Sequence, residues 1–183
     1  MKAALAALLA VAAASPAHAA AWSVDHARSK LGFSVLWGGE PFSAAFKSWN
    51  AAIAFDPNDL AHAHATVTID LASESSGEPD FDSGLKGAEG FATERYPVAR
   101  FATTEITHTG ANAYVAKGML DLHGISRPVT LPFTLVITGR TAHMMGTAHV
   151  LRTDFKLGQG SWASADPVAY DVTITVDLVA TEN

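Results

Sequence analysis

The chain contains no cysteine, so no disulfide can staple the fold and no thiol can act as a nucleophile. Basic residues are scarce: 12 Lys and Arg stand against 18 Asp and Glu, for a net charge of −6. That balance argues against nucleic acid or an anionic membrane surface as the main partner. No apolar run reaches the roughly 20 residues that a membrane-spanning helix requires. The sequence also lacks Gly-x-Ser-x-Gly and His-Glu-x-x-His, which removes the common hydrolase and metalloprotease signatures. Ser, His and Asp are all present, but no spacing ties them into a triad.

What is there begins with a leader. Met1-Lys2 gives a positive start, residues 3–14 are an unbroken run of Ala, Leu and Val, and Ser15-Pro16 breaks it. Ala17-His18-Ala19 then supplies small residues at the two positions read by a signal peptidase. This order predicts a cleaved signal peptide over residues 1–19, a single mature domain over 20–183, and export to the periplasm. With no Cys after the apolar run, lipoprotein anchoring is excluded. Loss of Lys2 makes the mature chain more acidic still.

The mature chain shows no repeat, charge block or low-complexity tract. What recurs is period-two alternation, the mark of a strand with one face buried. Leu31, Phe33, Val35 and Trp37 form one such set, and Ala63, Ala65, Val67, Ile69 and Leu71 a second. Val129, Leu131, Phe133, Leu135 and Ile137 form a third, and Val172, Ile174, Val176 and Leu178 a fourth. Weaker strands are predicted over 46–55, 99–108, 114–122 and 142–153. Turn signals separate them at Gly38-Gly39, Asp56-Pro57-Asn58, Gly110-Ala111-Asn112, Gly124 and Gly139. An all-β, eight-stranded antiparallel barrel is preferred to a sandwich, because closure leaves no exposed edges. Residues 81–91 carry Phe81, Leu85, Ala88 and Phe91 at helical spacing, so a short helix is expected to cover one end before Tyr96-Pro97 ends the insertion. Such a barrel can be filled by side chains or can hold one elongated ligand.

Several polar groupings invite a chemical reading. His62 and His64 share a strand face with Thr66, Thr68 and Asp70, so they are read as wet rather than as metal ligands. His143, Met145, Thr147 and His149 share a later face in the same way. Asp80-Phe81-Asp82-Ser83-Gly84 lacks the later acidic positions of a calcium loop and is read, with Glu74 and Glu78, as a solvated acidic turn. Gly158-Gln159-Gly160 has the letters of a dinucleotide fingerprint, but a strand follows where a helix is needed. It is read as a mouth loop positioning Trp162. Asp25-His26 is read as a cap and turn. No catalytic residue, metal or cofactor is assigned.

The ordered set of segments resembles the YceI-like family of exported, lipocalin-like proteins. It runs from Trp22-Ser23-Val24-Asp25-His26 through Ile53-Ala54-Phe55-Asp56-Pro57 and Glu94-Arg95-Tyr96-Pro97. It continues through Gly118-Met119-Leu120-Asp121-Leu122-His123-Gly124 and Arg152-Thr153-Asp154-Phe155 to Val172-Thr173-Ile174-Thr175-Val176. The chain departs from the family pattern at Ser73-Glu74-Ser75-Ser76-Gly77 and Asp82, and in its short Gly38-Gly39-Glu40-Pro41 turn. The resemblance implies a hydrophobic cavity for a polyisoprenoid, a quinone-like tail or another long-chain lipid, and no catalysis. Expected lining residues are Phe33, Val35, Trp37, Phe46, Leu85, Phe91, Leu120, Phe133 and Trp162. Beyond the lipid, candidate partners are a second copy of the chain and a membrane b-type cytochrome. The alternative function is a stress-response accessory protein, or a small metal-dependent enzyme using the surface histidines.

Overall fold

In the computed structural model, which describes residues 19–183, the alternating segments form eleven antiparallel strands. They are β1 (Ala21–Val24), β2 (Lys30–Trp37), β3 (Glu40–Phe46), β4 (Trp49–Ala54), β5 (His64–Asp70), β6 (Glu74–Ser75), β7 (Val98–Gly110), β8 (Ala113–Leu122), β9 (Ile125–Thr138), β10 (Thr141–Leu151) and β11 (Val168–Glu182). Apart from Ala19, the expected signal segment lies outside the described residues. No helix among those described is long and apolar enough to cross a membrane.

The strands close into an eight-stranded antiparallel barrel, as the alternation predicts. The order is β1-β4-β5-β7-β8-β9-β10-β11, and β1 pairs with β11 to shut the ring. β2, β3 and β6 extend three of these staves at the other end. β2 lies beside β11 (Lys30↔Asp177), continuing the edge that β1 occupies (Val24↔Ala180). At that break the buried Ser29 stands in for ladder bonds: its Oγ donates to the Asp25 carbonyl (2.7 Å) and accepts from the Val179 N–H (2.9 Å).

The strand expected over 46–55 is shorter, β4 over Trp49–Ala54, and Phe46 instead ends β3, which was not anticipated. Gly38-Gly39 makes a tight hairpin that returns the chain along β2, pairing Phe42 with Val35 and Ala44 with Phe33. Lys47-Ser48 then leaves the ladder because the Lys47 N–H bonds to the Ser73 carbonyl and the Ser48 N–H to the Ser73 hydroxyl. The expected strand over 142–153 ends at Leu151, where Arg152–Phe155 form a 3-10 turn.

Helix α1 is also shorter than predicted, covering Pro79–Lys86 instead of 81–91. Gly87 ends it, and the Phe91 N–H then folds back onto the Leu85 carbonyl. That return passes so close that a Cβ at Gly90 would overlap Leu85 backbone. Phe91 is consequently buried from a loop, while Phe81 and Ala88 remain exposed.

One seam in the wall is incomplete. The β9–β10 ladder stops at Gly146↔Phe133. Beyond it, β9 continues on β8 alone and β10 on β11 alone. Phe155 is 1% exposed and packs with Leu120, Val129 and Ala148, which places its ring behind the parted strands.

Candidate functional site: an apolar column inside the barrel

Because side chains alternate along each strand, the four alternating sets all face inward. They leave two spaces between them. The outer one, about 130 Å³, is bordered by β2, β3, α1 and the 156–167 loop; the inner one, about 190 Å³, lies toward β1 and β4. Leu31, Ile69, Leu120 and Ile174 line both, so the spaces meet at a waist. Both present only apolar atoms. Each is comparable to the ~150 Å³ apolar cavities that stay dry in water and admit small hydrocarbons.

Of the residues expected to line a cavity, Phe33, Val35, Trp37, Phe46, Leu85, Phe91, Leu120 and Trp162 all border the outer space. Phe133 borders the inner one, stacked on Tyr114 at a centroid distance of 5.4 Å. The inner end is closed by Trp22, whose indole N–H donates to the Phe55 carbonyl at 2.9 Å. Phe42, Leu71, Leu157 and Phe155 also border the outer space and were missed. Phe42 was missed because β3 was unrecognised, although Phe42, Ala44 and Phe46 do alternate.

The mouth is an aromatic cluster held by polar bonds. Trp37 meets Phe81 at 4.9 Å and Trp162 at 5.3 Å, both edge-on. The 156–167 loop is fixed from below by Arg152, which is 5% exposed. Its five N–H donors all reach backbone carbonyls: Ala169, Leu157, Gly158, Ser164 and Val168. Gly158 lies against this guanidinium at φ +72°, where a Cβ would overlap it. The glycines of the false dinucleotide motif are thus explained by packing. The same loop is tied to the segment after α1, since the Gly158 N–H bonds to the Glu89 carbonyl and the Ser161 hydroxyl to the Glu89 carboxylate.

The acidic turn requires a correction. Glu78 and Asp80 are exposed as expected, but Glu74 is 1% exposed and neither carboxyl oxygen has a hydrogen-bond partner. Burial first, then the neighbouring Asp82 charge, pushes its pKa up to about 7. Asp82 itself is held below the usual carboxylate range by the Ser76 hydroxyl and N–H. The stability consequence follows from proton linkage. Glu74 holds its proton more tightly when folded, so its contribution is full below about 4.5 and declines as pH rises, being lost above about 7. That range corresponds to about 3 kcal/mol. Wild type is expected to lose stability from pH 5 to 8 relative to Glu74→Gln; parallel urea-stability profiles would contradict this.

The surface histidines do not gather. His62 pairs with Asp59 (2.7 Å), His143 with Asp177 (2.7 Å) and His149 with Asp171 (3.1 Å). Strands β5 and β10 are separated by β7, β8 and β9. Among the described residues, no three His, Asp or Glu side chains are grouped to hold a metal. Asp25 accepts from the Ala27 and Arg28 N–H groups, forming the expected turn.

A closed antiparallel barrel with an open apolar interior defines a lipocalin-type architecture. Residues 22–180 match the YceI-like domain, and the chain belongs to that family. A curated relative, UPF0312 protein plu2095 of Photorhabdus laumondii, is 34% identical over 110 residues, covering 60% of this chain and 54% of that protein. The chain thus spans about half of that relative's length. Burkholderia cenocepacia BcnA has a similar structure, with TM-score 0.84 and 34% identity over 87% of this chain and 100% of that one. A polyisoprenoid binding domain from Saccharophagus degradans shares the fold at TM-score 0.71 and 17% identity, over 90% of this chain and 99% of that one.

Proposed function

We propose that this protein is an exported, non-enzymic binding protein that carries a long-chain apolar molecule, a polyisoprenoid or quinone-like lipid, inside the barrel. The observation that carries the reading is the pair of wholly apolar spaces meeting end to end at Leu31, Ile69, Leu120 and Ile174. A flexible hydrocarbon chain suits such a column, since each methylene buried contributes about 0.8 kcal/mol without any polar contact. The polyisoprenoid-binding domain of Saccharophagus degradans, with the same fold, supports this ligand class. The Ala-rich leader supports a periplasmic location. A metal-dependent activity is disfavoured because each paired surface histidine has its own separate carboxylate.

The test is native mass spectrometry of protein purified from its own host, repeated on Val35→Trp. Wild type should retain an apolar molecule of lipid mass. Val35 is buried and borders the outer space, so an indole there occupies ligand volume. Displacing two or three methylenes should weaken retention roughly 10- to 50-fold, with little change in the thermal midpoint of ligand-free protein. If the barrel is instead filled, the same change overpacks it by about 1–3 kcal/mol and no lipid is present to lose.

A further inference from the structure

The carrier reading leaves one buried polar group without a role. Glu74 pairs with Phe46 across the β3–β6 ladder, and Phe46 borders the outer space. Helix α1 packs against β6 and brings Asp82 and Lys86 near Glu74, and Lys47 approaches from the end of β3. Two ionised carboxylates cannot hydrogen-bond to each other. Neither Glu74 oxygen has a hydrogen-bond partner, so ionisation sets a bare buried charge beside the Asp82 charge on α1, while Ser76 holds the Asp82 carboxylate through its N–H (2.8 Å) and hydroxyl (2.6 Å). With two carboxylates and two ammonium groups nearby, the charge pattern fits a protonated Glu74 better than a divalent cation, which needs six or more oxygens.

Helix α1 is the element free to respond. None of its residues is buried, so it belongs to the low-stability part of the fold. Yet it covers the mouth: Leu85 borders the outer space, Phe81 packs on Trp37, and Gly84 lies beneath the Trp162 ring. We propose that Glu74 and Asp82 form a proton-dependent latch, closing α1 over the cavity mouth when Glu74 is protonated and releasing it when Glu74 ionises. The pH range of release is near neutrality, where burial and the Asp82 charge place the Glu74 pKa, at about 7. The latch is a property of the ligand-free chain; only its use in loading or releasing lipid rests on the carrier reading.

The experiment is hydrogen exchange of ligand-free protein from pH 5.5 to 8.5, corrected for intrinsic rates. Amide protection over residues 79–86 should fall at least tenfold across this range in wild type, and protection in β8 should not change. Glu74→Gln keeps a neutral side chain of the same shape, so its α1 protection should be independent of pH. Asp82→Asn removes the opposing charge and should move the transition to lower pH. A flat wild-type profile, the same transition in Glu74→Gln, or an unmoved midpoint in Asp82→Asn would each overturn the latch. Should the variants not fold, the carboxyl carbon of Glu74 followed by NMR in wild type decides the matter. Titration together with the Leu85 amide supports the latch, and titration at the ordinary carboxylate pKa overturns it. Lipid retention measured over the same range tests the carrier separately: absence of bound lipid at every pH removes the carrier and leaves the exchange result standing.

Discussion

Arg152→Ala is expected to destabilise the ligand-free barrel by about 3–5 kcal/mol, the range for breaking a buried charged network. The guanidinium is the one centre on which Leu157, Gly158, Ser164, Val168 and Ala169 converge through their carbonyls. A buried acceptor left unsatisfied costs about 1–3 kcal/mol. Five such losses together would rival the whole stability of a domain, about 5–15 kcal/mol. The lower figure holds because the loop can part and let water reach some of the carbonyls. Arg152→Lys should fall between wild type and Ala, since an ammonium offers three donors and cannot span the arc that the planar fork spans. Urea unfolding followed by circular dichroism measures the shift in midpoint. A loss below about 1 kcal/mol would mean that water already satisfies these carbonyls in the native state.

The way Arg152 is used shows what the sequence could and could not reveal. Alternation is a local signal, so Leu31, Phe33, Val35 and Trp37 could be placed inside from their parity alone, and all four border the cavity. Closure followed from the number of such strands. Whether the interior is hollow was not legible, because a packed core and an apolar cavity employ the same residue types. Glu74 was misread for a similar reason. In a stretch of Ser, Gly and acid it has the composition of a wet turn, and its burial arises only when α1 folds over β6. The burial of Arg152 likewise depends on carbonyls as far ahead as Ala169, beyond the reach of any strand pattern. Phe42 was readable in principle, but Pro41 and a two-residue turn obscured its short strand.

Phe155→Ala should cost about 3–5 kcal/mol in ligand-free protein, the usual range for deleting a fully buried aromatic side chain. Phe155 is 1% exposed and packs with Leu120, Val129 and Ala148. It backs the seam where β9 and β10 part beyond Phe133 and Gly146. No ladder bonds cross that stretch, so the two strands can close partly over the space, and the cost should fall in the lower half of the range. The ring also borders the outer space, which makes its loss different from that of an ordinary core residue. Truncation enlarges the volume open to a ligand, so an apolar chain should still bind and should recover part of the lost stability by mass action. The expected result is a large drop in the thermal midpoint without ligand and a smaller drop with lipid present. Leu36→Ala is the control: Leu36 is 50% exposed, and its removal should stay within about 0.5 kcal/mol. A Phe155→Ala protein equally destabilised with and without bound lipid would show that the ligand does not reach this part of the column.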